Sequence, residues 1–136
     1  MEMKDLKLSL GEEKVIEYKL KRLSRKIKNT KIEGKLNFKI KSQKMKLNFT
    51  FKFRDIIVNI DGEIERVIDF SSNENLNSKT LENLIKEEWE ILAQPLFAKA
   101  SKVVAELSEE IFIFPMIVPT NEWEDNTDYT IDILNN

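Results

Sequence analysis

The chain has 136 residues and a mass of 16.0 kDa, which predicts a single domain spanning residues 1–136. Hydrophobic residues make up 41% of the sequence and charged residues 34%, a composition typical of globular proteins. Because the sequence contains no cysteine and no histidine, disulfides, thiol nucleophiles, Cys/His zinc sites and imidazole acid–base chemistry are excluded.

Charge is distributed unevenly along the chain. Residues 1–60 contain 17 Lys/Arg and 7 Asp/Glu, whereas residues 61–136 contain 5 Lys/Arg and 17 Asp/Glu. Three interpretations fit this polarity: two halves of one fold that attract each other, a charged face that steers a partner, or two solvated faces of opposite sign. A sequence pI near 5.4 argues against a dedicated nucleic-acid-binding protein.

Neither a secretory signal nor insertion into a membrane is expected. Glu2, Lys4 and Asp5 make the start of the chain charged, and no apolar segment of signal-peptide length follows. The longest uncharged run, residues 111–121, is too short to cross a bilayer. The sequence therefore predicts a cytoplasmic protein.

The first predicted element, residues 15–27, fits two periods. Apolar residues alternate from position 16 to position 20 as in a strand, but those at 16, 20, 23 and 27 also recur at helical spacing. We favour a first strand with a bulge near Arg22 over an amphipathic helix. A strand here would widen the predicted sheet enough to support helices on one face.

Alternation of apolar and polar residues predicts three further strands. It runs unbroken over Lys31–Lys41, resumes at residue 45 after a short turn at residues 42–44, and continues through residues 56, 58 and 60; a last strand follows over residues 63–70. The pair Asp61-Gly62 is typical of a tight hairpin, so it predicts the turn before the last strand. These strands form a meander.

The predicted sheet has two unlike faces. One is aromatic and aliphatic, and includes Phe38, Phe49 and Phe51. The other is rich in lysine and could meet phosphates or an acidic protein, although a solubilising surface is the simpler interpretation. Since the aromatic residues lie on the opposite face, binding of single-stranded nucleic acid by stacking is not expected. The lysine-rich surface, here called the basic face, consists of Lys35, Lys39, Lys46, Lys52 and Arg54.

The second half of the chain is predicted to be helical and then irregular. Asn77 or Ser78 can cap a helix, after which apolar residues recur at helical spacing from Leu81 to Leu107. Pro95 either kinks this helix or opens a second one. Residues 111–119 read as a buried or interfacial extended segment, and the last residues suggest a weak strand or a docked tail. Together the elements predict an α+β fold in which a four-stranded antiparallel β-sheet meander carries C-terminal helices packed on one face.

No arrangement of residues in the sequence points to catalysis. The only glycines are Gly11, Gly34 and Gly62, so no glycine-rich phosphate loop exists. Residues 125–128 offer oxygen ligands but lack the glycine and the distal glutamate of a calcium loop. We therefore expect a non-enzymatic protein without a cofactor or a metal.

The C-terminal half resembles SecB-type chaperones over about thirty residues. The motif consists of Gln94-Pro95-Leu96-Phe97, Ala100-Ser101, Val103-Val104, Leu107-Ser108, Phe114-Pro115, Ile117, Pro119 and Asn121-Glu122-Trp123. The resemblance implies a holdase that captures unfolded polypeptide, either a preprotein or a dedicated client such as a toxin, in an apolar groove beside residues 111–118. The candidate peptide-binding residues that it implies are Trp89, Phe112, Phe114, Met116, Val118 and Trp123.

Partners follow from the same features. Residues 111–118 are more apolar than a chain of this size easily hides, which predicts a homodimer or a homotetramer. The sheet face that docks the SecA motor in the SecB family is acidic, so the basic face makes docking to SecA doubtful. The alternative function is a non-enzymatic interaction protein, such as one encoded by a phage, that binds one acidic partner through the basic face.

Overall fold

Six strands and two helices form the computed structural model, which describes residues 9–10, 14–22, 29–55, 57–71, 76–112 and 114–134. The strands are β1 (Ser9–Leu10), β2 (Lys14–Arg22), β3 (Lys31–Lys41), β4 (Lys44–Asp55), β5 (Val58–Asp69) and β6 (Thr127–Leu134). The helices are α1 (Ser78–Ser108) and α2 (Thr120–Asp125). Neither helix combines the length and apolar character needed to cross a membrane within these ranges.

The sheet is mixed and wider than predicted. β1 and β2 pair one after the other with the same edge of β5, and the order continues through β4 and β3 to β6. All pairs are antiparallel except β3 and β6, which are parallel. The predicted four-stranded antiparallel meander is therefore only partly right. β3, β4 and β5 do form a meander, but β2 pairs with β5 rather than β3, and β6 adds a parallel strand after the helices.

The first predicted element forms a strand, β2, as its alternation favoured. Its irregularity, however, does not lie near Arg22, where a bulge was predicted. The register with β5 shifts between Val15 and Glu17, whereas Arg22 pairs regularly with Val58. The predicted bulge near Arg22 is thus not found within β2. Positions 23 and 27, which supported the helical alternative, lie outside the described residues.

One of the two predicted hairpin turns is confirmed. Lys41 pairs with Lys44 across a two-residue loop, in which Ser42 adopts a positive φ of 56°. The backbone carbonyl of Gln43 in this loop accepts a hydrogen bond from the N–H of Phe70 at 2.8 Å, and its amide Nε2 donates to the carbonyl of Leu76 at 3.1 Å. The turn therefore also anchors the chain that leaves β5 for α1.

The second predicted turn, at Asp61-Gly62, is wrong. The chain reverses earlier, because Asp55 pairs directly with Val58, and Gly62 lies inside β5 opposite Phe51. A Cβ atom at Gly62 would overlap the ring of Phe51, so this glycine provides room for an aromatic ring rather than a turn. The local signal was overridden by packing across the sheet.

The hydrophobic core lies between one face of the sheet and α1. The alternating residues predicted to face inward on β3 and β4 are buried, including Phe38, Phe49 and Phe51, except that Ile32 at the start of β3 is only partly buried. Phe49 stacks on Phe51 with ring centroids 5.8 Å apart, and meets Phe97 of α1 edge-on at 5.2 Å. The aromatic face of the sheet is thus covered by the helix, as its composition requires.

Helix α1 is broken once, but not at its proline. Asn77 is the N-cap, its side chain accepting a hydrogen bond from the N–H of Thr80 at 2.9 Å. Glu88 has non-helical backbone angles (φ −132°, ψ 24°), whereas Pro95 lies within the second helical stretch. Pro95 therefore neither opens the second stretch nor marks the position of the kink.

Candidate functional site

Two serines on α1 determine the path of the segment between α1 and α2. The hydroxyl of Ser108 accepts a hydrogen bond from the backbone N–H of Met116 at 2.7 Å, and that of Ser101 donates to the carbonyl of Val118 at 2.6 Å. Ser101 also accepts a hydrogen bond from the indole Nε1 of Trp123 at 2.9 Å. The C-terminal part of the segment is therefore attached to the helix at two points, Met116 and Val118.

α2 then brings its tryptophan back into the core. Trp123 is fully buried and meets Phe51 edge-on at 5.4 Å and Phe49 at 6.0 Å. Its carbonyl accepts a hydrogen bond from the hydroxyl of Thr127, the first residue of β6. Consequently α2 packs over the sheet as one unit with the end of the segment and the start of β6.

The hydrogen bonds to Ser101 and Ser108 determine which side chains of the segment face the core and which face solvent. Val118 is 4% exposed, whereas Phe114 and Ile117 are 74% and 73% exposed. Met116 and Phe112 are partly buried against the core. Hydrogen bonds between the serine hydroxyls and the backbone of Met116 and Val118 hold both neighbours of Ile117 in place. The exposure of Ile117 therefore follows from contacts within the fold.

A cleft of about 430 Å³ opens between this segment and the ends of β3 and β4. Its volume lies near the lower end of the range for ligand pockets in proteins. The lining residues are Thr30, Ile32, Phe53, Asp55, Met116, Ile117, Val118, Pro119, Glu122 and Asn126. Its apolar surface comes from both the sheet and the segment, and carboxylates are supplied by Asp55 and Glu122.

The structure divides the six candidate peptide-binding residues. Met116 and Val118 line the cleft, and Phe114 belongs to the same segment and is exposed. Trp123 supports the segment from within the core. Trp89 does not line the cleft; it packs against Tyr129 of β6, with ring centroids 5.1 Å apart.

Ile117, Ser101 and Ser108 belong to the SecB-like motif, but they were not among the candidate peptide-binding residues. The serines carry a signal in retrospect, because two hydroxyls seven residues apart interrupt an otherwise apolar helical stripe. That spacing places both on one side of α1, where they can hydrogen-bond to the same adjacent segment. For Ile117, the neighbouring prolines gave no indication of which residues would face outward.

The basic face is flanked by acidic strands. In β6, Asp128 lies opposite Lys35 and Asp132 opposite Lys39. In β5, Asp61 lies opposite Lys52, and Glu65 forms an ion pair with Lys46 at 3.2 Å. The basic first half and the acidic second half of the sequence are thus interleaved in one sheet, which favours the interpretation that the two halves attract each other.

The remaining basic-face residue is also paired. The Nε of Arg54 donates to the Oδ1 of Asn59 at 2.8 Å, and the amide of Asn59 donates to Asp61 at 2.9 Å. Each of the five basic-face residues therefore has an acidic or polar neighbour on an adjacent strand. A surface composed in this way offers less net attraction to an acidic partner than a row of lysines alone.

No cation site is visible in the described ranges. No group of three acidic side chains there is arranged to hold a metal ion. Asp69 accepts hydrogen bonds from Ser71, which lower the pKa of its carboxyl, but Asp69 pairs with Lys44 at the opposite end of β4 from the cleft.

Comparison with known proteins rests on structure, since no family model and no curated protein matches the sequence. The SecB-like chaperone Rv1957 of Mycobacterium tuberculosis, solved in complex with a ChAD peptide from the Rv1956 HigA1 antitoxin, superposes with a TM-score of 0.65. The two are 10% identical over 83% of this chain and 86% of that chain. A protein of unknown function from Streptococcus agalactiae superposes with a TM-score of 0.51, at 15% identity over 84% of this chain and 98% of that chain. The chain therefore has a distant SecB-like fold, which confirms the resemblance noted in its C-terminal half.

Proposed function

We propose that this protein binds extended, unfolded segments of a client polypeptide through the cleft between β3, β4 and residues 114–119. The observation that carries the proposal is the exposure of Phe114 and Ile117, at 74% and 73%, beside a cleft lined by both apolar and polar side chains. Burying one such side chain contributes about 1.5–3 kcal/mol. A chain that holds both in water gains this free energy only when something covers them.

The exposure of Ile117 is maintained by hydrogen bonds at both of its neighbours. Ser101 and Ser108 fix the backbone at Val118 and Met116, so Ile117 cannot turn inward without breaking a hydrogen bond. A surface held open in this way is suited to a partner that binds and leaves. Backbone segments of unfolded clients, which carry many different apolar side chains, fit an open cleft better than an enclosed pocket.

The structural comparison supports a polypeptide as the partner. The SecB-like chaperone with the similar fold was solved with a peptide bound. By analogy, this chain is a non-enzymatic holdase that works without nucleotide or metal. A dedicated client such as a toxin or antitoxin and a broad range of preproteins are both compatible with the cleft.

A second copy of the chain, rather than a client, could also bury Phe114 and Ile117 in a subunit interface. We include a homodimer or homotetramer in the proposal, since several copies would bring several clefts within reach of one unfolded client. The oligomeric state therefore has to be measured together with activity.

The test is suppression of aggregation of a chemically unfolded protein. We expect the wild type to keep several unfolded proteins in solution, and the Phe114→Asp/Ile117→Asp variant to lose most of this activity, because it places two charges in an apolar contact. Ile91→Asp is the matched control, since Ile91 is 54% exposed on α1 and does not line the cleft.

Light scattering and circular dichroism accompany each assay. If the double variant keeps its fold and oligomeric state but loses activity, the cleft binds the client. If it dissociates instead, the two side chains belong to a subunit interface. Absence of activity in the wild type with several clients would overturn general holdase function.

A further inference from the structure

The outer edge of β6 is open in the part of the chain that the structure describes. β6 pairs with β3 along one side, from Thr127 opposite Gly34 to Leu134 opposite Lys41, and no described strand pairs with its other side. An edge strand presents a row of backbone N–H and C=O groups that are ready to pair with another strand. Proteins usually block such an edge.

The opposite edge of the sheet is blocked in the usual way. β2 carries lysines at Lys14, Lys19 and Lys21, and its register shifts between Val15 and Glu17. Lysines and bulges both hinder the addition of a further strand. The edge formed by β2 is therefore unsuited to regular pairing.

β6 has none of these devices. Its eight residues, Thr127–Leu134, include no lysine, proline or glycine, and its register with β3 is continuous. Ile133 and Leu134 are 40% and 45% exposed. A regular edge of this length, protected only by the charges of Asp128 and Asp132, is a liability unless it has a partner.

The inner side of β6 shows which strand chemistry it accepts. On the open face of the sheet, Asp128 and Asp132 lie opposite lysines of β3. On the helix-covered face, Tyr129 and Ile131 lie opposite Leu36 and Phe38. A strand on the outer side would meet the same two columns, one acidic and one apolar.

We propose that β6 is a strand-addition site for an extended polypeptide segment in which lysine or arginine alternates with apolar residues. The proposal rests on the proposed function and specifies the class of client sequence. Backbone hydrogen bonds supply affinity, and the alternation supplies selectivity. A second copy adding through its own β6 would bring two acidic columns together, which disfavours self-pairing.

The experiment uses the full chain and a fluorescent eight-residue peptide in which lysine alternates with isoleucine and phenylalanine. We expect it to bind and to slow amide hydrogen exchange across Thr127–Leu134. A peptide with glutamate in place of lysine, and one N-methylated at every second residue along one edge, should each bind at least about tenfold more weakly.

The matched variant is Asp128→Asn/Asp132→Asn, which removes charge and keeps an oxygen able to accept the hydrogen bond that Asn37 donates to Asp132. We expect about a tenfold loss of affinity for the lysine peptide. Asp125→Asn, an exposed change in α2, should leave the affinity unchanged. Binding without protection of β6, or equal binding of the glutamate peptide, would overturn the proposal.

Different experimental outcomes contradict the two proposals, client holding through the cleft and strand addition at β6. If the wild type suppresses aggregation but β6 is never protected, strand addition is wrong and the cleft remains the client site. If β6 is protected but no client is held in solution, the proposed holdase function is wrong and strand addition stands.

Discussion

A single hydroxyl group links three parts of the candidate site. Ser101 donates to the carbonyl of Val118 and accepts from the indole of Trp123, so one side chain on α1 holds both the segment and α2. Both partners are buried, at 4% and 0% exposure. Buried polar groups that lose their partner incur the full cost of desolvation.

Ser101→Ala should therefore lower the free energy of unfolding by about 1–3 kcal/mol. It should also weaken client holding, because the backbone next to Ile117 is no longer attached to α1. Urea denaturation followed by tryptophan fluorescence measures the first effect, and the aggregation assay the second. Ser78→Ala, at the first residue of α1, is the control. Stability within about 0.5 kcal/mol of wild type would show that the two hydrogen bonds contribute little.

At the scale of elements, close contacts across the sheet decide where strands begin and end. Gly34 and Gly62 both lie beneath phenylalanine rings, and a Cβ at Gly34 would come within 2.6 Å of the Cε1 of Phe49. Neither glycine has a positive φ. The Asp61-Gly62 pair thus occupies ordinary strand conformation, and its glycine is needed for the space it leaves.

Gly62→Ala separates this explanation from a turn. We expect the substitution to cost about 1–3 kcal/mol in the wild type, through overpacking against Phe51. In a Phe51→Leu background the same substitution should be neutral or slightly stabilising, because alanine restricts the unfolded chain more than glycine does. Paired urea denaturation curves give the coupling between the two sites. A cost that persists unchanged in the Phe51→Leu background would point to backbone conformation instead.

At the scale of the whole molecule, the basic first half and the acidic second half of the sequence contribute neighbouring strands to one sheet. The positive columns of β3 and β4 lie between the acidic columns of β5 and β6. Each exposed pair contributes little on its own. Together, however, the columns favour one placement of β6 and leave the basic face partly neutralised.

Lys35→Glu/Lys39→Glu should destabilise the protein by about 1 kcal/mol, because it places carboxylates opposite Asp128 and Asp132. The loss should shrink in 0.5 M salt, at which exposed charges are largely screened. Thermal unfolding at two salt concentrations measures both effects, with Lys79→Glu/Lys99→Glu on α1 as the charge-matched control. An unchanged stability, together with loss of an acidic partner on purification, would instead favour recognition through the basic face.

Short sequence patterns predicted the features that depend on interactions between residues close together in the chain. Alternation assigned the inward residues of β3 and β4 because side chains of a strand point to opposite faces in turn. The helix cap at Asn77 and the turn at Ser42 depend on bonds and angles within a few residues. The proline-bearing motif of residues 94–123 was enough to suggest the SecB-like fold, although the sequence as a whole matches no family model.

Only the tertiary structure decided features that depend on residues far apart in sequence. Gly62 lies in a strand because the ring of Phe51 approaches it from the neighbouring strand. β6 pairs in parallel with β3 because α1 and α2 return the chain to that edge of the sheet. Ile117 faces outward because Ser101 and Ser108, on another element, hold the backbone beside it. The sequence alone determined the faces of the strands and the family resemblance, whereas long-range contacts determined which edge, which cleft and which apolar side chains remain available to a partner.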